Sequence, residues 1–419
     1  MNKKDYRPRI VDEKLKTVLS VFGGVLITGP KWCGKSWTAS NQAESEIFID
    51  MEDNKKKALL MPDVILDGAP PRLIDEWQDA PILWDAARRM IDKEHRPGMF
   101  IFTGSAVPAK EKPSHTGTGR FARMRMRPLS LFESGISSGK ASLTFLFDGE
   151  GFEPCPSEMN YMKALRLICT GGWPASFWVP EERAPFIARE YMNMVINEDI
   201  NRTDEIKRDT ALVSLFIRSL ARNSATSVKA TRIKADISER EGGDISDQTV
   251  RNYYETLKKI FVIEEQDAWA PSLRSRKRIR TTPKRHFADP SLAAAALDAT
   301  PEILSGDIKT AGFLFESLCF RDISVYMDAL GGAVYHYHDF DDLEADAILQ
   351  LPDGRWAAVE VKLGEFEFDN AADNLNKIKN KLANETIPPS FLAIITASGG
   401  AAYKRDDGVY ILPLDCLKP

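Results

Sequence analysis

The sequence predicts a multidomain α/β protein, and three observations support that fold class. The chain has 419 residues, which is too many for one ordinary hydrophobic core, so roughly two to four domains are expected. From about residue 15 to about residue 131, short β-rich runs alternate with helical stretches, the pattern of a parallel sheet covered by helices. Toward the C-terminus, a β-hairpin pattern lies between two helical segments and indicates a further α/β region.

Composition is that of a soluble globular protein, with 43% hydrophobic and 28% charged residues. No stretch approaches the roughly 20 uncharged apolar residues of a membrane helix, and the first residues lack the apolar segment of a signal peptide. A cytoplasmic location without a membrane partner is therefore expected. The five cysteines show no C-x-x-C spacing and the five histidines do not cluster near them, which argues against a zinc site or a disulfide framework.

A phosphate-binding motif stands near the start of the alternating region, which we assign to a first domain, residues 1–150. Residues 29–36 read Gly-Pro-Lys-Trp-Cys-Gly-Lys-Ser, a complete G-x-x-x-x-G-K-[ST] loop between a strand and a helix. Glycines let backbone N–H groups turn toward phosphate oxygens, Lys35 reaches the β- and γ-phosphates, and the Ser36 hydroxyl reaches Mg²⁺. Gly29, Gly34, Lys35 and Ser36 are therefore predicted to bind a nucleotide, with ATP and Mg²⁺ as cofactors.

Two adjacent carboxylates, Asp75 and Glu76, follow the predicted strand at 72–74. Asp75 is expected to hold Mg²⁺ through water or Ser36, and Glu76 to orient and deprotonate the attacking water. Such a pair can also cap a helix or face solvent, but its place about forty residues after a phosphate loop favours catalysis. Thr103 ends the next predicted strand, 99–103, and either senses the γ-phosphate or satisfies backbone groups in a turn.

Four arginines occur between residues 119 and 127, at Arg120, Arg123, Arg125 and Arg127. Any of them could stabilise the negative charge of a phosphoryl-transfer transition state. Arg120 is our candidate, although a solvated basic strand explains the pattern equally well.

The middle of the chain is predicted to be largely helical. Helical periodicity over 159–200, interrupted by Gly-Gly-Trp-Pro at 171–174, predicts a helical lid within a domain of residues 151–208. Three further helices, at 212–221, 229–237 and 247–260, precede two β-rich runs at 261–265 and 285–288. Three helices and a hairpin predict a winged-helix domain, residues 209–305.

A basic run joins the two β-rich segments, with no acidic residue between Asp267 and Asp289. Beside a winged helix, the run predicts a surface that contacts DNA phosphates with salt-dependent affinity. A solvated loop and a protein-docking module are the alternatives. Arg251, Asn252 and Tyr253 are weaker candidates for contacts to base edges. The residues of the run are Arg274, Arg276, Lys277, Arg278, Arg280, Lys284 and Arg285.

Four charged residues of the last region, 306–419, form a further candidate site. Glu360 and Lys362 lie two apart on a predicted strand and therefore share a face, and the preceding strand of the hairpin can bring Asp346 alongside. With Glu316 on the helix before them, they look like the Glu…Asp…Glu-x-Lys constellation of PD-(D/E)xK nucleases. In that interpretation Glu316, Asp346 and Glu360 hold Mg²⁺ and Lys362 activates water. A cross-strand ion pair and a solvated strand face are the alternatives.

The order of motifs resembles that of bacterial and archaeal AAA+-like ATPases that end in a restriction-endonuclease-like domain of unassigned function. Lys31, Trp32 and Cys33 depart from that family's usual loop but leave the residues expected to act in hydrolysis intact. The motifs that carry the resemblance are Tyr-Arg-Pro-Arg at 6–9, the phosphate loop at 29–36, Leu-Ile-Asp-Glu at 73–76, Thr-Gly-Ser at 103–105, Arg-Pro-Leu-Ser-Leu-Phe-Glu at 127–133 and Gly-Gly-Trp-Pro at 171–174.

Motifs and resemblance together predict a P-loop AAA+-like core with a helical lid, a winged-helix domain and a C-terminal restriction-endonuclease-like α/β domain. The favoured function is ATP hydrolysis coupled to DNA binding or processing. The alternative is a nucleotide-switched regulatory or scaffold protein whose nuclease-like domain is an inactive binding module. The sequence leaves assembly into a homo-oligomer open.

Overall fold

The chain folds into two compact units in the computed structural model. The first unit ends its main segment at Pro128, so residues 129–150 group with the second unit although the sequence assigns them to the first domain. The finer division at residues 150, 208 and 305 stays a prediction. The described residues are 6–105, 117–202, 208–241, 245–272 and 281–419, without the side chains of 202 and 239–241. The first unit comprises Met1–Pro128, Asn197–Arg208 and Glu255–Val262, and the second comprises Leu129–Ile196, Asp209–Tyr254 and Ile263–Pro419.

The first unit contains the predicted parallel sheet. Its strands are β1 (Gly24–Thr28), β2 (Ser45–Phe48), β3 (Arg72–Asp75), β4 (Phe100–Gly104) and β5 (Phe121–Arg125). All neighbours are parallel, in the order β2-β3-β4-β1-β5. Because the strands are parallel, the segments that follow β1, β3 and β4 leave the sheet at one edge, where ligands of such sheets bind.

The central strand β1 is buried on both faces, as its uninterrupted apolar sequence requires. Val25 and Ile27 pack in one core with Leu15, whereas Leu26 packs in the other core with Trp84. Alternate residues of one strand thus join the helices on both sides of the sheet. The covering helices are α1 (Val11–Leu19), α2 (Lys35–Gln42), α3 (Glu52–Leu60), α4 (Pro62–Leu66) and α5 (Ile82–Glu94).

The other helices of the described residues follow residue 128 in the chain. Three of them, α10 to α12 below, lie where the sequence predicts three helices before a hairpin. A π-helical turn, Val195–Asp199, precedes α9. The helices are α6 (Leu143–Asp148), α7 (Tyr161–Thr170), α8 (Pro185–Met194), α9 (Ile200–Arg202), α10 (Thr210–Arg222), α11 (Ala230–Glu241), α12 (Asp247–Lys259), α13 (Pro290–Ala296), α14 (Pro301–Gly306), α15 (Ile308–Ala329) and α16 (Phe368–Leu382). Among the described residues, no helix combines the length and the apolar character needed to cross a membrane.

The remaining strands build a seven-stranded mixed sheet and two short pairs. The large sheet has the order β10-β11-β12-β13-β15-β14-β7, and the pairs are β6 with β16 and β8 with β9. These strands are β6 (Ala141–Ser142), β7 (Cys155–Pro156), β8 (Ile263–Gln266), β9 (Lys284–Phe287), β10 (Ala333–His338), β11 (Glu344–Gln350), β12 (Trp356–Lys362), β13 (Leu392–Thr396), β14 (Ala401–Lys404), β15 (Tyr410–Pro413) and β16 (Leu417–Lys418).

The antiparallel hairpin β11–β12 forms as predicted, with Ala347 opposite Val359. The two helical segments predicted on either side of the hairpin are present as α15 and α16. Three strands of the large sheet, β7, β10 and β14, were not predicted. Two of them pair with each other across a long sequence separation, Ala401 with Pro156, and such pairing leaves no local periodicity to detect.

A buried arginine with two aspartates lies inside the second unit. Arg321 Nη1 is 2.8 Å from Asp289 Oδ2 and its Nη2 is 2.6 Å from Asp322 Oδ1, and no side chain of the three is more than 1% exposed. Asp289 also accepts the backbone N–H of Gly172 at 2.9 Å, and Asp322 accepts that of Leu131 at 2.8 Å. Leu131, from the motif at 127–133, and Gly172, from the motif at 171–174, are therefore held by one buried charge cluster.

His286 holds β9 against α15. Its ring stacks on Phe320 with centroids 4.1 Å apart. Nδ1 lies 3.0 Å from Ser317 Oγ and Nε2 lies 3.0 Å from Gln266 Oε1. Because an amide oxygen only accepts, Nε2 carries the proton and Nδ1 accepts from Ser317. Burial, assisted by the charge of Lys284, lowers the pKa of His286 to about 3.

We expect the neutral His286 to make the second unit acid-sensitive. The unfolded chain binds a proton near pH 6.5, whereas the folded chain resists it until about pH 3. Between these values the free energy of unfolding should therefore fall by about 1.4 kcal/mol for each pH unit lost. Urea unfolding of wild type and His286→Gln at pH 4 to 7 measures this contribution as a stability difference that shrinks with falling pH. His95→Gln, at an exposed histidine, is the control, and a pH-independent difference for His286→Gln would contradict the assignment.

Candidate functional site

The loop between β1 and α2 has the backbone conformation that a phosphate cradle needs. Gly29 and Gly34 have φ values of 155° and 101°. A Cβ on Gly29 would lie 2.2 Å from the carbonyl oxygen of Met126, so a side chain does not fit there. Gly34 directly precedes α2, whose first N–H groups are therefore available to an anion.

Lys35 and Ser36 stand at the start of α2. The Lys35 side chain is buried, and its Nζ donates to the carbonyl oxygens of Gly29 at 3.1 Å and Pro30 at 2.8 Å. The Ser36 hydroxyl lies near the Asp75 carboxylate and acts to lower its pKa. A lysine, a hydroxyl and a carboxylate thus meet beside the loop. The oxygens of the hydroxyl and the carboxylate are ligands of the kind that Mg²⁺ prefers. This donor set fits a nucleotide with Mg²⁺.

Asp75 is the last residue of β3 and is buried. Burial raises its pKa, while hydrogen bonds from Thr103 and Ser36 work in the opposite direction. Thr103, at the end of the neighbouring strand β4, is fully buried and donates its hydroxyl to Asp75 Oδ1. Its hydroxyl is therefore committed to positioning Asp75, an arrangement closer to the satisfied-turn alternative than to a γ-phosphate sensor.

Glu76 follows Asp75 with a left-handed backbone, φ 52°. Few residues other than glycine adopt this conformation, and such residues cluster at functional sites. Glu76 Oε2 accepts hydrogen bonds from Gln78 Nε2 and, at 3.4 Å, from Ser105 Oγ. Gln78 was not predicted as a site residue. Its position in the sequence, two residues after Glu76, is the signal that could have identified it as a site residue.

Arg120 lies away from the phosphate loop. Its Nε is 2.6 Å from Asp92 Oδ1, and it precedes β5 at the end where Phe121 pairs with Gly24. The loop follows the opposite end of β1, so roughly 16 Å of strand separates the two. The structure therefore does not bring Arg120 to the site of its own chain. Arg125 ends β5 beside Thr28 and is the arginine of that strand nearest the loop.

Arg9 holds the phosphate loop from outside the nucleotide site. Its buried guanidinium donates to the carbonyl oxygens of Cys33 and Arg127, both at 2.9 Å. Asp12 fixes the start of α1 by accepting the backbone N–H of Arg9 at 2.8 Å, and Tyr6 donates to the same carboxylate at 2.7 Å. The Tyr-Arg-Pro-Arg motif at 6–9 thus has a structural role that the sequence alone did not reveal.

Lys31, at a variable position of the loop, forms an ion pair with Asp199 at 2.6 Å. Asp199 ends the π-helical turn Val195–Asp199 in the segment predicted to be a lid. Insertions of this type are frequent at functional sites. The loop therefore contacts Asp199, a residue of the same unit.

The second candidate site lies in the second unit, where Glu316, Asp346, Glu360 and Lys362 come together as predicted. Lys362 Nζ is 2.6 Å from Glu360 Oε2 and 3.8 Å from Asp346 Oδ2. A fifth residue, Lys284, joins them, with Nζ 2.6 Å from Glu316 Oε1 and 3.3 Å from Asp346 Oδ1. These five residues are called the carboxylate cluster below. Carboxylates and ammonium groups alternate along it, from Glu316 to Glu360.

Burial and mutual repulsion shape the ionisation of the carboxylate cluster. Burial, then the charge of Asp346, raises the pKa of Glu316 and of Glu360 to about 8 each. Burial also acts to raise the pKa of Asp346, but Lys284 and Lys362 outweigh it and lower that pKa. Asp346 lies between the two ammonium groups and is therefore the most readily ionised carboxylate of the cluster.

A cavity of about 860 Å³ opens beside the carboxylate cluster. Its lining includes Lys229 and Lys309 as well as Lys284 and Lys362. His336 also lines it, is 2% exposed, and its Nε2 has no hydrogen-bond partner among the described residues. Burial, then the charge of Lys284, lowers the pKa of His336 to about 4.

The prediction that the basic run contacts DNA is corrected for its last two residues, Lys284 and Arg285. Lys284, predicted to contact DNA phosphates, is instead paired inside the carboxylate cluster. Arg285 donates to the carbonyl oxygen of Val228, and its guanidinium lies 4.5 Å from the Tyr254 ring centroid. Lys284 is thus paired with carboxylates, and Arg285 is held by a backbone carbonyl and an aromatic ring of the protein. Arg274, Arg276, Lys277, Arg278 and Arg280 lie outside the described residues.

Three residues on α12 were predicted to contact base edges, and the prediction is wrong for Tyr253. It is 6% exposed and packs edge-on against Phe216 with centroids 5.5 Å apart, so its ring belongs to the core. Arg251 and Asn252 are exposed.

Three segments of the chain match known domain families. Residues 22–134 match the AAA domain family. The predicted ATPase activity is confirmed by this match. Residues 163–303 match a domain of unknown function, DUF8612, and residues 311–417 match another, DUF4143.

The chain is also similar to whole proteins. Uncharacterized protein Rv2008c of Mycobacterium tuberculosis and uncharacterized protein Mb2031c of Mycobacterium bovis are each 23% identical to it over 357 residues, which cover 83% of this chain and 72% of theirs. Among solved structures, the Walker-type ATPase Paby2304 of Pyrococcus abyssi aligns with a TM-score of 0.41 and 14% identity, covering 70% of this chain and 96% of that one.

We expect Arg9→Ala to weaken nucleotide binding. The substitution removes two buried hydrogen bonds from a charged donor to the loop region, which should cost about 2–4 kcal/mol of stability in the first unit. A loosened loop must be ordered again by the ligand, so the ATP Kd should rise by about tenfold or more. Calorimetric titration of ATP measures this. Arg7→Ala, at an exposed arginine two residues away, is the control, and equal affinities for both variants would refute the role of Arg9.

Proposed function

We propose that the chain couples ATP hydrolysis in the first unit to DNA binding in the second. The observation that carries the second half of this proposal is the convergence of Glu316, Asp346, Glu360 and Lys362 from one helix and two strands, the arrangement of a nuclease-like domain. Helices α10 to α12 and the antiparallel pair β8–β9 support a winged-helix domain before it. Both assignments rest on the order and pairing of these elements.

Four residues of the first unit are proposed to carry hydrolysis. Lys35 neutralises the β- and γ-phosphates, and Ser36 with Asp75 holds Mg²⁺, which spreads the phosphate charge when bound. Glu76 accepts the proton of the attacking water, and Gln78 and Ser105 orient its carboxylate. Thr103 keeps Asp75 in place.

Lys35→Ala and Glu76→Gln should separate binding from turnover. Lys35→Ala removes the charge that pairs with the phosphates, so the ATP Kd should rise by roughly 100-fold. Glu76→Gln keeps the shape but loses the base, so ATP should still bind while kcat falls by roughly 100-fold or more. Equilibrium titration and a phosphate-release assay measure the two quantities. Lys31→Ala is the matched lysine control in the same loop. Wild-type turnover by Glu76→Gln would disprove the role of Glu76.

Replacing Arg276, Lys277, Arg278 and Arg280 by Gln should weaken DNA binding and its salt dependence. Each lost phosphate contact lowers the slope of log K against log salt by roughly 0.9. Fluorescence anisotropy with a labelled duplex at several salt concentrations gives that slope, and ATP turnover without DNA should stay at the wild-type rate. Replacing four exposed lysines of the first unit, Lys55, Lys56 and Lys57 of α3 and Lys93 of α5, by Gln controls for net charge. An unchanged slope would assign the run to a solvated loop.

A second candidate function is a nucleotide-switched scaffold with an inactive nuclease-like domain. The observation that favours it is that every carboxylate of the cluster is already paired with a lysine. Nuclease assays on DNA and RNA with Mg²⁺, with and without ATP, discriminate the two. Cleavage that is lost in Asp346→Ala would reject the scaffold, and DNA binding without cleavage would reject processing.

A further inference from the structure

Lys284 stands where a bridging cation of a nuclease-like site would be expected. Its Nζ lies between an oxygen of Glu316 on α15 and an oxygen of Asp346 on β11, at 2.6 and 3.3 Å. Mg²⁺ binds carboxylate oxygens at roughly 2.0–2.1 Å, so an ion that bridged these two oxygens would occupy the space of the ammonium group. Among the described residues, no group of three or more His, Cys, Asp or Glu side chains is arranged to hold a metal ion.

The charge balance of the carboxylate cluster points the same way. Lys284 already places one positive charge between Glu316 and Asp346, and a divalent ion held by the same two carboxylates would add two more beside it. Cations that close repel each other, and a buried site does not screen the repulsion. Without Lys284, Lys362 is the one remaining lysine of the cluster, and a divalent ion could pair with Glu316 and Asp346. The residues present therefore do not fit a metal while Lys284 is in place.

Lys284 is held in this position by its own strand. Gln266, its partner in the β8–β9 ladder, donates to the carbonyl oxygen of Asp346 at 2.8 Å. His286 lies two residues on, on the same face of β9, and is hydrogen-bonded to Ser317, the neighbour of Glu316. The strand pair that carries Lys284 is thus hydrogen-bonded to β11 and to α15, the two elements that supply the carboxylates. The ammonium group is a fixed part of the site.

We propose that Lys284 is the resident cation of the carboxylate cluster and takes the place of a divalent metal ion there. In this arrangement Asp346 is bridged by two lysines, and the nuclease-like domain keeps its carboxylates together without Mg²⁺. Lys284 is a positioning residue: it orders Glu316 and Asp346 beside the cavity. The wild-type cluster consequently binds no divalent ion, and removal of this one side chain creates a metal site.

The test is Mn²⁺ binding to the full chain without nucleotide, measured by calorimetry. Wild type should show no saturable binding that depends on Asp346. Lys284→Met should gain one Mn²⁺ site of at least tenfold higher affinity than any wild-type signal, and Lys284→Met combined with Asp346→Ala should lose it. Lys309→Met is the matched control, because it removes the same charge from the same cavity and leaves the cluster intact. Lys284→Gln serves as the second variant if Lys284→Met does not fold.

Two results would overturn the proposal. One is a wild-type Mn²⁺ site that Asp346→Ala abolishes, because the metal and Lys284 would then coexist. The other is a folded Lys284→Met or Lys284→Gln protein that gains no metal site. Neither result depends on whether the chain hydrolyses ATP or binds DNA, so the proposed function is tested separately. A merely structural role of Lys284 would change stability without creating a metal site.

Discussion

The buried pairing of Arg321 with Asp289 and Asp322 is the constraint on which the second unit depends. A charge without solvent contact is tolerated only when its partners satisfy it fully, and here each aspartate also receives a backbone N–H. The cluster therefore fixes segments that are far apart in sequence. Loss of one partner would leave an uncompensated buried charge, at a cost of about 3–5 kcal/mol, so these segments have little freedom to move independently.

The same logic governs both candidate sites. In the phosphate loop, Lys35 is satisfied by carbonyl oxygens of the loop itself, contacts that a nucleotide phosphate can replace. In the carboxylate cluster, the ammonium groups of Lys284 and Lys362 are paired with carboxylates of the protein. Neither ammonium group is therefore left for an incoming anion in the same way. One arrangement is prepared for an incoming anion, whereas in the other each ammonium group is already paired with a carboxylate of the protein.

The sequence predicted what is encoded locally. The phosphate loop, the two carboxylates at the end of β3 and the hairpin β11–β12 each depend on neighbouring residues, and all were recognised. Arg120 lies away from the phosphate loop of its own chain because strand pairing, rather than sequence, decides which end of β5 meets the loop. Lys284 was taken for a surface charge because its partners Glu316 and Asp346 lie 32 and 62 residues further along the chain. Strands β7 and β14 were missed for the same reason.

The position of Lys284 links two segments that family comparison treats as separate. Lys284 falls within the match that ends at residue 303, whereas Glu316 and Asp346 fall within the match that begins at residue 311. One segment supplies the cation and the other supplies the carboxylates. If recombination joined the C-terminal segment to a different neighbour, it would inherit three acidic groups with a single lysine. Such a chimera would need a new lysine, a bound ion or a lost carboxylate, so the two segments are expected to be inherited together.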